Sequence, residues 1–305
     1  MSSLMDTLGD RMKAYEACET MRKAPLGQPL VARVDGKSFS KFTANMTRPW
    51  DEKMAESMIV MAEYLVENIA SVRSCFVQSD EATLILDPNR TTEPSQTINA
   101  AERDLDDGDN RDEARERRGE KTKGFPFDGR YSKLASIIAG TASSRFALEA
   151  VQHWPELVVR TPPVFDCRVF PVPDREEAVN AILWRELDAA KNAASMAARA
   201  HFSHKRLHGL SGAQMKELLL LETGIDFNDY PVMFRRGLHI RRRNVERTLS
   251  EEELSRIPAE YRPAGPVRRT ETARLKLPPL IKVKNRVEVI FDGAEPILRD
   301  QTAPE

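Results

Sequence analysis

Two β-rich runs, Val72–Gln78 and Ala82–Leu86, are separated only by the polar trio Ser79-Asp80-Glu81. A gap this short turns the chain straight back on itself, so the pair reads as an antiparallel hairpin with an acidic tip. The flanking segments narrow the fold further. Residues 30–34 (LVARV) read as a short buried strand that ends at Asp35-Gly36. Residues 51–69 carry Met54, Met58, Met61, Ala62, Leu65, Val66 and Ile69 on one 3.6-period stripe, the mark of a helix packed on a core. Beyond the hairpin, Tyr131–Val151 reads as a second helix with Leu134, Ile137, Ile138 and Thr141 on one side, and Val164–Phe170 reads as a strand. The order β-α-β-β-α-β is the split βαβ, or ferredoxin-like, arrangement of the α+β class. It predicts an antiparallel sheet with helices on one face.

The rest of the chain adds elements to this unit. Residues 88–126 contain a stretch of mixed charges almost without apolar residues, which reads as a surface insertion outside the core. Asp174-Arg175-Glu176-Glu177 has the form of a capping box and opens a long helix running to about residue 200. Ser211-Gly212-Ala213-Gln214 opens another, which Gly224 stops. Its run Leu218–Leu221 reads as core. Residues 250–270, polar and Pro-containing, read as a linker, and residues 281–291 (IKVKNRVEVIF) as a further strand.

In a split βαβ sheet the end of the first strand lies beside the hairpin tip, so Asp35 and Asp80 come together. Two adjacent carboxylates repel each other unless a cation sits between them. Hard oxygen ligands suit Mg²⁺, which completes its shell with water and substrate phosphates, and such a pair is the minimal apparatus of two-metal phosphoryl transfer. Gly36 allows close backbone approach and offers its carbonyl as a ligand. Lys37-Ser38-Phe39-Ser40 then supplies successive N–H groups and hydroxyls for a triphosphate. Glu81, next to Asp80 on a strand, points to the opposite face and is expected to play a structural part. Taken singly, an Asp-Gly after a strand and an acidic hairpin tip are ordinary turn chemistry, and it is their convergence that points to a site.

Composition excludes other classes. Lys plus Arg total 46 against 47 Asp plus Glu, a net charge of −1, which rules out a uniformly basic nucleic-acid coat. No run approaches the roughly 20 apolar residues of a membrane span, and the N-terminus lacks the apolar stretch of a secretory signal. Cys18, Cys75 and Cys167 are far apart and odd in number, which argues against a disulfide framework and for a reducing, cytoplasmic compartment. His201, His204 and His208 lack zinc-finger spacing. Arg235, Arg236, Arg241, Arg242 and Arg243 form a basic cluster that reads either as a ribbon along a nucleic-acid backbone or as a charged strand edge.

Five segments in order resemble the tRNA-histidine guanylyltransferase family, including its guanylyltransferase-like branch. They are Arg33-Val34-Asp35-Gly36-Lys37-Ser38-Phe39, Arg48-Pro49-Trp50-Asp51, Gln78-Ser79-Asp80-Glu81, Arg130-Tyr131-Ser132-Lys133-Leu134 and Phe165-Asp166-Cys167-Arg168-Val169. The resemblance covers roughly residues 5–235. It implies a polymerase-type palm that extends RNA in the 3′-to-5′ direction, adding nucleotides to the 5′ end of tRNA at the acceptor stem. Two Mg²⁺ ions, with ATP and GTP or other nucleoside triphosphates as substrates, are implied with it. By position Asp35, the Gly36 carbonyl and Asp80 resemble the metal ligands. Asp35, Gly36, Lys37, Ser38, Phe39, Ser40, Ser79 and Asp80 resemble the nucleotide-binding stretch. Arg33, Arg48, Arg130 and Lys133 resemble basic contacts to triphosphate. A homotetramer built as a dimer of dimers is also implied, without membrane association.

One departure matters. Enzymes that add a single guanosine carry a His-Ile-Asn-Asn-Leu-Tyr-Asn-like stretch on the helix after the last palm strand. Here, after Trp184-Arg185, the stretch reads Ala190-Lys191-Asn192-Ala193-Ala194-Ser195-Met196. This favours the guanylyltransferase-like branch, whose members repair 5′-truncated tRNAs. The expected organisation is a palm over residues 1–175, a helical part contacting tRNA or other subunits over 176–244, and a linker with a strand-rich tail over 245–305. Two rival readings remain on the same residues: another palm-type reaction such as nucleotide cyclisation, and a non-catalytic RNA-binding protein with a relic palm.

Overall fold

A computed structural model describes residues 2–88 and 124–299, so most of the charged insertion read at 88–126 lies outside the described residues. The longer helices are α1 (Ser2–Thr20), α2 (Glu52–Asn68), α3 (Tyr131–His153), α4 (Arg175–Arg199) and α5 (Gly212–Thr223). The strands are β1 (Leu30–Gly36), β2 (Val72–Gln78), β3 (Glu81–Leu86), β4 (Phe165–Pro171), β5 (Leu238–Arg247) and β6 (Val267–Leu275). They form one six-stranded sheet in the order β4-β1-β3-β2-β5-β6, with every neighbouring pair antiparallel. The first four strands give the 4-1-3-2 order of the split βαβ unit, as the sequence predicts.

Local chemistry sets the helix starts. Asp51 caps α2, its Oδ1 accepting from the Met54 N–H at 3.0 Å. Asp174 caps α4 through the Glu177 N–H at 2.9 Å. Ser211 and Gln214 close a reciprocal capping box on α5, and Gly224 ends it at φ 74°.

The sheet is covered on both faces, which corrects the expectation of helices on one side only. Leu30, Ala32 and Val34 of β1 pack with the methionine stripe of α2 and with Leu134, Ile138, Ala142, Phe146 and Ala150 of α3. The alternate residues of the same sheet, Val31 on β1, Ile85 on β3 and Phe76 on β2, pack on Ala178, Val179 and Ile182 of α4. Central strands apolar on both faces require a second layer, and α4 supplies it. On α3 the buried positions follow an i, i+4 row that leaves Ile137 exposed. On α5 Leu219 is buried while Leu220 and Leu221 face outward, so the leucine run is core at one position of its face rather than throughout.

The tail departs most from its sequence. Residues 267–275, whose first four fall in the segment read as a linker, form β6 along β5. Residues 281–291, read as a strand, instead contain a short 3₁₀ turn at Leu280–Lys282 and a π-helical turn at Glu288–Asp292. Val289, Ile290 and Phe291 are all buried against the second face of the sheet. In a strand, where side chains alternate, Ile290 would face away from Val289 and Phe291.

The arginine cluster is engaged within the fold. Arg242 donates to the carbonyls of Val66, Glu67 and Ile69 at the end of α2. Arg235 donates to the Tyr230 carbonyl at 2.8 Å, Arg241 to the Val289 carbonyl at 3.1 Å, and Arg243 pairs with Glu271 at 3.8 Å. Cations on the last carbonyls of a helix complement its dipole.

Candidate active site

β1 and the β2–β3 hairpin place the acidic residues as the split βαβ topology requires. Gln78 pairs with Glu81, so the turn is only Ser79-Asp80. Asp35 lies opposite Glu81 on β3 and opposite Asp166 on β4. The Gly36 N–H donates to the Asp80 carbonyl at 3.0 Å, fastening the end of β1 to the hairpin tip. Asp80 lies close enough to Asp35 for its charge to be felt. Burial pushes the Asp80 carboxyl above the usual carboxylate range and Asp35 adds to this, while backbone and Ser79 hydrogen bonds pull the other way. The Ser79 hydroxyl reaches Asp80 Oδ1 at 3.1 Å.

The segment after β1 turns sharply. The Lys37 N–H donates to the Val164 carbonyl at 2.8 Å, so it is already engaged within the protein. Ser38 takes a left-handed φ of 58° and begins the helical turn Phe39–Phe42. The amides of Ser38, Phe39 and Ser40 therefore have no partner within the turn they open. The Phe39 side chain is core, with its ring centroid 4.8 Å from Phe165, 5.3 Å from Phe42 and 5.4 Å from Phe146. It explains Gly36 in a way the sequence does not reveal: a Cβ there would stand 2.4 Å from Phe39 Cδ2.

Beside Asp80 opens a cavity of about 260 Å³. Met46, Trp50, Met196 and Phe234 form its apolar walls, and Arg48, Ser79 and Asp80 its polar rim. That is just below the ~300 Å³ at which small-molecule pockets begin, room for one nucleoside with its phosphates left outside. Sequence reasoning reached Arg48, Ser79 and Asp80 but missed Trp50, Met196 and Phe234. The available signal was the Ala-rich second half of α4. Ala193, Ala194 and Ala197 pack there on Leu219, Phe227 and Phe234, which brings Met196 to the cavity.

The basic residues divide. Arg33 projects from β1 on the side of α4, its guanidinium 5.8 Å from the Trp184 ring centroid. Arg48 rims the cavity and its Nη2 contacts the Thr43 carbonyl at 3.5 Å. Arg130 and Lys133 do not join them within one chain. Phe165, opposite Gly36, donates its N–H to Ser143 of α3 at 2.9 Å. Arg130 precedes Ser143 by 13 residues, about 20 Å of helix at 1.5 Å per residue. There the backbones of Lys23 and Arg130 pair in an isolated antiparallel β-bridge and the Lys133 ammonium lies 5.6 Å from the Phe127 ring centroid.

The residues present fit a metal that takes part of its shell from substrate. Among the described residues no three His, Cys, Asp or Glu side chains gather to enclose an ion. Two half-buried carboxylates beside a backbone carbonyl leave most of the shell to phosphate and water, which is how Mg²⁺ is commonly held.

A split βαβ sheet with paired carboxylates at one end, beside a cavity of nucleoside size, defines a palm-type nucleotidyltransferase. Comparison with known proteins carries this to a family. Residues 9–173 match the family model Thg1, tRNAHis guanylyltransferase, and the chain belongs to that family. A bacterial tRNAHis guanylyltransferase-like protein solved in complex with ATP superposes with a TM-score of 0.63 and 30% identity, covering 77% of this chain and 88% of that one. The uncharacterized protein R259 of Acanthamoeba polyphaga mimivirus is 28% identical over 255 residues, 79% of each chain. The tRNAHis guanylyltransferase of Saccharomyces cerevisiae is 24% identical over 229 residues, 70% of this chain and 82% of the yeast enzyme. No helix among the described residues is long and apolar enough to cross a membrane.

Proposed function

We propose that this nucleotidyltransferase adds nucleotides to the 5′ end of tRNA in the 3′-to-5′ direction, using ATP and GTP or other nucleoside triphosphates. The observation that carries the reading is the Asp35–Asp80 pair, locked by the Gly36 N–H on the Asp80 carbonyl, with Asp80 itself lining the cavity. Asp35, Asp80 and the Gly36 carbonyl are the residues that would hold two Mg²⁺ ions. Bound there, the ions supply charge for the attacking 3′-hydroxyl and the leaving pyrophosphate. Trp50, Met196 and Phe234 would enclose a base, excluding water from one side. The amides of Ser38–Ser40, with Arg33 and Arg48, would orient the triphosphate and offset its charge. Arg130 and Lys133 can meet that triphosphate only from a neighbouring subunit, in keeping with the tetramer that the family resemblance implies.

The branch follows from α4. Ala193 is buried in helix packing and Met196 lines the cavity, each where the stretch of the single-guanosine enzymes carries Asn, which favours templated repair of truncated tRNAs. The test supplies ATP, Mg²⁺ and labelled nucleotides with two tRNAs, a full-length histidine tRNA and one lacking its 5′ nucleotide, beside Asp80→Ala. Faster Asp80-dependent repair of the truncated tRNA is expected. Preference for histidine tRNA would overturn the branch assignment, and tRNA binding without incorporation would overturn the polymerase reading.

A further inference from the structure

We propose that Arg185 is a positioning residue that holds Glu81 out of the metal site, so that the ions see two carboxylates rather than three. The inference rests on the assignment of Asp35 and Asp80 as metal ligands. Glu81 is the cross-strand partner of Asp35 and the next residue after Asp80. Side chains of such partners share a face of the sheet, so strand geometry alone offers Glu81 as a third ligand. Yet no third carboxylate joins the pair among the described residues.

The reason is a bidentate bond from α4. Arg185 Nε donates to Glu81 Oε1 at 2.5 Å and Nη2 to Oε2 at 2.9 Å, so both carboxylate oxygens are engaged. The two side chains are 14% and 16% exposed, which shelters the pair from solvent. Arg185 is itself fixed, by Asp188 at 3.2 Å and by the Trp184 ring with its centroid at 4.6 Å, so it cannot follow Glu81 toward Asp35. The planar fork of Arg matches a carboxylate in a way a Lys ammonium does not. Released from the fork, Glu81 would be able to turn toward Asp35 and join the ligand set, drawing divalent ions more tightly while displacing them from the geometry transfer requires.

The experiment measures Mn²⁺ binding by the loss of its free electron paramagnetic signal, together with Mg²⁺-dependent nucleotide addition, on the full chain. Arg185→Met is expected to bind Mn²⁺ several-fold more tightly and to lose on the order of tenfold in kcat. Adding Glu81→Gln to that background is expected to return both toward the parent. Arg185→Lys, which keeps the charge without the fork, is expected to fall between and serves if Arg185→Met fails to fold. Unchanged Mn²⁺ affinity in the Arg185 variants, or no rescue by Glu81→Gln, would overturn the proposal and leave the bridge a purely structural contact. Asp80→Ala separates the two levels. If it leaves Mn²⁺ binding unchanged, the metal assignment falls and the proposal with it. If it abolishes binding while the Arg185 variants bind like the parent, only the proposal falls.

Discussion

Replacing Gly36 by Ala tests whether the end of β1 is built as the structure has it. The added methyl would meet Phe39 Cδ2, Cγ and Cε2 at 2.4, 2.7 and 2.8 Å. The ring cannot swing clear, because Phe42, Phe146 and Phe165 surround it with centroids 4.8–5.4 Å away. Overpacking of this kind costs about 1–3 kcal/mol. At roughly 2–4 °C per kcal/mol for a domain of this size, the melting temperature should fall by about 2–12 °C. Relief by a shift of β1 would move Asp35 against Asp80, and a displacement near 1 Å costs on the order of a hundredfold in rate. The assays are a thermal melt by circular dichroism and nucleotide incorporation into a truncated tRNA. Gly36→Ala combined with Phe39→Leu should lose less stability than the two single changes added together, because the clash is shared. A Gly36→Ala protein that melts with the parent, or strict additivity in the double variant, would refute the reasoning.

Three further outcomes are expected. Asp80→Asn should abolish nucleotide addition yet stabilise the free protein by roughly 0.5–2 kcal/mol, since it relieves a buried charge held beside Asp35; a lower melting temperature would contradict this. The same carboxyl makes the effect pH-dependent: raised in the folded state, it confers relative stability that is full below the ordinary Asp value of about 4 and lost as pH rises through its folded value. The melting advantage of Asp80→Asn over the parent should therefore grow between about pH 4 and 7, and Mg²⁺ should raise the parent's melting temperature more at pH 7.5 than at pH 4.5, both read by scanning fluorimetry. Met196→Trp should fill the cavity and raise the KM for the nucleotide by about tenfold, or roughly 1.4 kcal/mol, with tRNA affinity unchanged in a filter-binding assay; an unaltered KM would place the base elsewhere.

Where local pattern and tertiary demand agreed, elements were legible in the sequence nearly to the residue. The hairpin is one case, with a two-residue turn and a register that runs without a break from Ser74 to Gln78. The caps at Asp174 and Ser211 are another, since a cap is a contact made within three residues. β5 was legible only as one of two readings of its arginine cluster and β6 escaped, because their charges hide the alternation: Arg242 and Arg274 look solvated in sequence, but Arg242 bonds the last carbonyls of α2 and Arg274 bonds Glu56 and Glu63 of that helix. Strand preference in such segments depends on finding a neighbour, and the open edge of β2 supplies it.

The sequence by itself determined the split βαβ order, and therefore the meeting of Asp35 with Asp80, because topology alone joins the end of β1 to the hairpin tip. Tertiary structure decided what surrounds that pair. Arg185 reaches Glu81 across 104 positions of chain, Met196 and Phe234 close the cavity from separate helices, and Phe39 makes Gly36 obligatory. Arg130 and Lys133 were set apart from the pair by the length and direction of α3. These are contacts between elements whose relative placement depends on burying both faces of one sheet, and no local spacing encodes them.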